Sequence, residues 1–90
     1  DTSTPNSQAS NIIVYPSPAT SLINVKFATP LSGSANVIVV NAMGDIVNKK
    51  VFTQQQDIMD VSKLKTGVYF VRCTDVTTQK EIGLQRFIKL

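Results

Sequence analysis

The sequence predicts an all-β fold: an immunoglobulin-like antiparallel β-sandwich of about seven short strands, with no disulfide. Three observations carry this. Apolar and polar residues alternate, most cleanly where Ile23, Val25 and Phe27 are interleaved with Asn24 and Lys26, the period of a strand with one wet face. Turn formers recur roughly every 8 to 12 residues, and no helical period outlasts a single turn. Cys73 is the only cysteine, so no internal bridge can form and the fold must rest on its core. The paired cysteines and buried Trp of antibody domains are absent, so the likeness is one of architecture only, with a small barrel as the alternative.

Taken in order, residues 1–10 are Ser, Thr, Asn, Gln and Pro with almost no apolar content, and read as a flexible linker. The folded part, residues 11–90, begins with Asn11-Ile12-Ile13-Val14-Tyr15, a short strand closed by Pro16-Ser17-Pro18. Two prolines remove two backbone donors, which places this strand at an edge or entrance of the sheet. The alternating strand at 21–28 follows, broken by turn formers at 29–34. Residues 35–41 are a nearly continuous apolar run, expected to be covered on both faces. Asn41-Ala42-Met43-Gly44-Asp45 makes a hairpin loop with Gly44 at the left-handed position, and residues 46–53 return as the partner strand.

After polar residues 53–56, a short strand at 58–61 leads into the central segment. Asp60-Val61-Ser62-Lys63 forms a turn in which Ser62 can bond backbone groups, and Leu64 offers one side chain to the core. Gly67 is expected to supply a positive φ at a sharp turn before Val68-Tyr69-Phe70-Val71, a buried β-branched and aromatic strand. Residues 74–79 turn the chain, and 80–90 return to pair with the strand at 67–73. There Ile82, Leu84, Ile88 and Leu90 share one phase, and Arg86 and Lys89 are expected to be exposed.

Ninety residues make one domain, and 42% hydrophobic with 17% charged residues is the balance of a folded chain. The net charge of +3 is scattered, with only Lys49 and Lys50 adjacent, so no basic face for nucleic acid is legible. No apolar run is long enough for a membrane-spanning helix. The chain opens on Asp1 and shows no apolar leader, and so reads as part of something longer.

The chemistry of catalysis is missing. Without histidine there is no Ser-His-Asp or Cys-His arrangement, and one cysteine cannot build a zinc site. Cys73, at the end of the central strand, reads as a small buried hydrophobe. Asp57 and Asp60 are close in sequence but read as solvated turn carboxylates, neither a calcium site nor an acid/base pair. Gly44 and Gly67 stand alone, so no phosphate-cradling loop is present. No enzyme activity, metal or cofactor is expected.

Four segments then carry a resemblance: Tyr15-Pro16-Ser17-Pro18, Val39-Val40-Asn41-Ala42-Met43-Gly44, the run from Asp60 through Leu64, Gly67 and Tyr69 to Arg72, and Arg86-Phe87-Ile88-Lys89-Leu90. In order, spacing and position they resemble the C-terminal sorting domain of the Bacteroidetes type IX (Por) secretion system, over about residues 11–90. The family's first motif usually reads Tyr-Pro-Asn-Pro, and Ser17 stands in place of Asn; Ser can still make a turn bond.

The resemblance implies a domain at the tail of a larger cargo protein, carried into the periplasm and then recognised by the outer-membrane translocon. It further implies a sortase-like cysteine protease that cuts before the domain, within residues 1–11, and joins the cargo to anionic lipopolysaccharide, leaving it at the cell surface or secreted. Tyr15, Pro16, Pro18, Gly44, Leu64, Gly67, Tyr69 and Phe87 read as turn and core residues. Lys63, Lys65, Arg86, Lys89 and Leu90 are the candidates for contact with the machinery. Two other functions remain open on sequence: an uncut domain acting as a signalling ligand in the envelope, and an adhesive or carbohydrate-binding module, although Trp is absent.

Overall fold

The computed structural model describes residues 11–28, 31 and 33–90. The linker expected at 1–10 lies outside the described residues, as do Thr29, Pro30 and Ser32 of the expected turn. Seven strands follow in order: β1 (Ile12–Tyr15), β2 (Leu22–Phe27), β3 (Ala35–Asn41), β4 (Ile46–Phe52), β5 (Gln56–Asp60), β6 (Gly67–Asp75) and β7 (Glu81–Lys89). They form two antiparallel sheets, one ordered β1-β2-β5 and the other β4-β3-β6-β7. The predicted sandwich, the edge position of β1 and the pairing of β7 with β6 are all present.

Alternation decides what each sheet buries. Ile23, Val25 and Phe27 of β2 face Val37 and Val39 of β3 and Val71 and Cys73 of β6, all fully buried between the layers. Phe27 and Phe52 meet edge to face, 5.8 Å between ring centroids at 85°, a favoured aromatic geometry. Burial pushes the Cys73 thiol up to about 12, aided by the charge of Glu81, so it is an un-ionised core side chain at neutral pH.

At the corner between the sheets, side chains replace the backbone ladder. Asn48 donates through Nδ2 to the Asp60 carbonyl at 2.9 Å, and Lys50 donates through Nζ to the Ile58 carbonyl at 3.1 Å, joining β4 to β5. Lys50 also pairs with Asp57 at 3.2 Å. Asp57 and Asp60 therefore sit on a strand and not in the expected turn. Both carboxyls are held below their usual range, Asp57 first by the Ile58 N–H and then by Lys50, and Asp60 first by the Ser62 hydroxyl.

These lowered values set a pH dependence. Their stabilisation is complete above the unfolded carboxylate pKa near about 3.9 and is lost as pH falls through the lower folded-state values. Asp57→Asn is expected to flatten the acid limb of a stability-against-pH curve; an unchanged slope would show that the Asp57 carboxylate does not carry it.

Three expectations are corrected. β3 is covered on one face only: Ala35, Val37 and Val39 are buried, while Ile38 and Val40 are half-buried on the open outer face. In β7 the phase is reversed: Gly83, Phe87 and Lys89 point inward, and Leu84, Ile88 and Leu90 are exposed. The register with β6 sets this, since the inward Tyr69 and Cys73 pair with Phe87 and Gly83; a bulge beyond them, where Thr74 pairs with Glu81, leaves Ile82 as an extra residue packed against the core. Finally, Gly67 does not have a positive φ; among glycines only Gly44 does, at 89°.

The two glycines should therefore respond differently to substitution. Gly44→Ala is expected to lose about 1–2 kcal/mol through backbone strain, although its Cβ would meet nothing within 4 Å. At Gly67 an added Cβ would meet only Tyr69 Cε1 at 4.0 Å. Gly67→Ala should hold or gain up to about 1 kcal/mol. Urea midpoints for the two variants check this, and a matching loss at Gly67 would refute it.

Candidate functional site

The segments singled out in the sequence come together at one end of the sandwich. Asn41 pairs with Tyr69 and Tyr69 with Phe87, so the β3–β4 hairpin lies beside the start of β6 and the end of β7. Gly67 pairs with Lys89, and Ala19 bridges Lys89 in parallel from the other side. The corner at 15–19 thus grips the last residues of β7.

That grip is built from backbone. Ala19 donates its N–H to the Ile88 carbonyl at 2.7 Å, and Leu90 donates to the Ala19 carbonyl at 2.9 Å. Ser17 accepts the Ile88 N–H on Oγ at 3.2 Å, so the residue standing where the resemblance expects Asn occupies the outer backbone donor of β7. Pro16 and Pro18 shape this corner and are exposed. Tyr15 is 40% exposed rather than core, and its hydroxyl accepts from Gln56 Nε2 at 2.6 Å.

The loop at 61–66 closes the same end. The Val61 N–H donates to the Ser21 carbonyl at 2.8 Å and the Leu64 N–H to Val61 at 3.0 Å, which seats Leu64 against the core. Ser62 acts as donor rather than acceptor, giving both N–H and Oγ to Asp60 Oδ1 at 2.9 and 2.6 Å. Tyr69 stacks on Phe87 with centroids 5.7 Å apart and donates its hydroxyl to the Lys65 carbonyl at 2.7 Å. The hairpin is held by Asn41 Oδ1, which accepts from the Met43 and Asp45 N–H groups.

Of the contact candidates, Lys63, Lys65 and Arg86 are exposed and Leu90 is 59% exposed. Lys89 is not: it is 5% exposed, because its odd-numbered position faces inward, and its Nζ donates to the Leu90 carbonyl at 2.7 Å. Among the described residues no cluster of His, Cys, Asp and Glu could hold a metal. Among the described residues no helix is long and apolar enough to cross a membrane.

Sequence reasoning missed one surface. The outer face of the four-stranded sheet carries a shallow concavity lined by Ile38, Val40, Gly44, Ile46, Phe70, Arg72, Glu81 and Leu84. The signal lies in the apolar run of β3, which reads equally as a strand covered on both faces.

Comparison with known proteins bears on this end of the molecule. The family model described as "Secretion system C-terminal sorting domain" matches residues 13–88, most of the chain. Curated proteins return no match. A solved structure of PorZ, an essential bacterial surface component of the type-IX secretion system of Porphyromonas gingivalis, is similar with a TM-score of 0.68 at 18% identity. The similarity covers 88% of this chain and 11% of that one, so it speaks to the fold alone.

Proposed function

The chain belongs to the family of secretion system C-terminal sorting domains, and from that membership we propose that it directs a larger cargo protein through the type IX system to the cell surface or the medium. The cargo passes through the periplasm and is handed to the outer-membrane translocon. A sortase-like cysteine protease then removes the domain within residues 1–11 and exchanges it for anionic lipopolysaccharide. Members of this family are sorting signals, not a class of enzyme.

One observation carries the reading furthest: motifs spread over the whole sequence are neighbours only in the folded state, around the end of β7. The machinery therefore reads a folded surface and not a linear peptide. Lys63, Lys65, Arg86 and Leu90 are exposed there or beside it and are the contact residues. Lys89 acts instead from within, holding the strand end.

A reporter fused ahead of residues 1–90 tests this in a cell with a type IX system. The wild-type fusion should leave the cell, and a version with residues 11–90 scrambled should stay. With Lys63, Lys65 and Arg86 changed to Gln, circular dichroism should be unchanged and export reduced. Undiminished export would remove those charges from recognition.

A further inference from the structure

Resting on the sorting reading above, we propose that the outer face of the four-stranded sheet is a docking surface for a separate protein that presents an apolar ridge flanked by carboxylates. The two outer faces of the sandwich differ. That of the three-stranded sheet is mixed, with Tyr15, Asn24, Lys26 and Gln56 among its apolar residues and a Tyr15–Gln56 hydrogen bond across it. On the four-stranded sheet the registers set Ile46, Val40, Phe70 and Arg86 in one row, and Lys49, Ile38, Arg72 and Leu84 in the next.

The apolar centre thus lies between cations on opposite edge strands, Lys49 on β4 and Arg86 on β7, three strand spacings apart across the sheet and two residues apart along it, or about 16 Å on the diagonal. Arg72, inside the patch, is paired with Glu81 at 2.9 Å, so the positive charge left over stands at the rim. An apolar centre with a charged rim is the anatomy of a protein interface.

The occupant follows from charge and from where the chain runs. A second copy of this face would bring its Lys49 and Arg86 towards the same cations, and like charges in apposition disfavour association. Residues 1–10 offer no apolar ridge either, since they hold one alanine, Ala9, and one carboxylate, Asp1, among Ser, Thr, Asn, Gln and Pro. Asn11 accepts the Ala28 N–H on its carbonyl at 2.8 Å, beside the three-stranded sheet and at the end of the sandwich away from Gly67. What remains is a separate protein with the opposite charge pattern.

The experiment compares three double variants in the same reporter fusion. Ile46→Asn with Leu84→Asn alters the apolar centre, at side chains 59% and 46% exposed. Ile13→Asn with Ile58→Asn makes the same change at 52% and 44% exposed positions of the opposite face. Lys49→Glu with Arg86→Glu reverses the rim, and needs no apolar group to be disturbed. Export is expected to fall about tenfold or more for the first and third pairs, as for loss of interface anchors, and to hold for the second. Thermal melts of each chain confirm the fold, and the rim pair decides if the apolar pair unfolds.

If the wild-type fusion leaves the cell and both outer-face pairs leave equally well, the docking surface is refuted and the sorting reading stands. If only the rim pair is retained in the cell while a folded apolar pair leaves, the face meets an anionic surface such as lipid headgroups, and the protein ridge is refuted. A wild-type fusion that stays inside overturns the sorting reading and this proposal with it.

Discussion

Removing residues 87–90 is expected to unfold the whole domain. Phe87 is fully buried and stacked on Tyr69, and losing such an aromatic side chain alone costs about 3–5 kcal/mol. The same cut takes the Ala19 and Ser17 hydrogen bonds to Ile88 and Leu90, leaves Gly67 and Val68 without a ladder partner, and leaves Tyr69 with Asn41 alone. A small domain has about 5–15 kcal/mol in total, so the combined loss reaches the order of its entire stability. A chain ending at Arg86 should show no cooperative thermal transition and collapsed amide dispersion, and a reporter carrying it should stay in the cell. A sharp melt would show that the corner at 15–19 and the end of β7 are ornaments on a core that stands without them.

Phe27→Ala should be the most damaging single substitution at the opposite end. Phe27 is fully buried, and its partner Phe52 is the only buried residue of β4, so the contact anchors an edge strand to the core. The expected loss is about 3–5 kcal/mol. A double-mutant cycle with Phe52→Ala should return a coupling of about 0.5–1.5 kcal/mol beyond the area lost, the amount found for edge-to-face rings. Strictly additive losses would mean that the two rings fill space independently.

The strand order along the chain was legible because turn chemistry is local. Gly44 at φ 89° and the alternation of β2 are each decided by a few neighbouring residues, and both stand where the sequence places them. The phase of β7 was not legible, because its apolar residues occupy both faces and the deciding feature is the register with β6, with a bulge that lets Ile82 join the core out of phase. Lys89 illustrates the same limit. A lysine reads as solvated until the register with Gly67 turns it inward.

The apolar run of β3 misled for a different reason. Continuous burial and a half-covered face awaiting a partner share one composition, and only the sheet order separates them. The candidate site was legible as four patterns but not as one place. Its assembly depends on antiparallel registers linking residues 41, 69, 87 and 19, and no local preference encodes those.

The corner where Asn48 and Lys50 reach across to β5 has a consequence for self-association. The carbonyls of Ile58 and Asp60 are the acceptors that an incoming strand from a neighbouring molecule would recruit, and side chains already occupy them. Lateral growth of one sheet onto another is thereby denied its first hydrogen bonds. This edge of the three-stranded sheet carries its own safeguard against fibre formation.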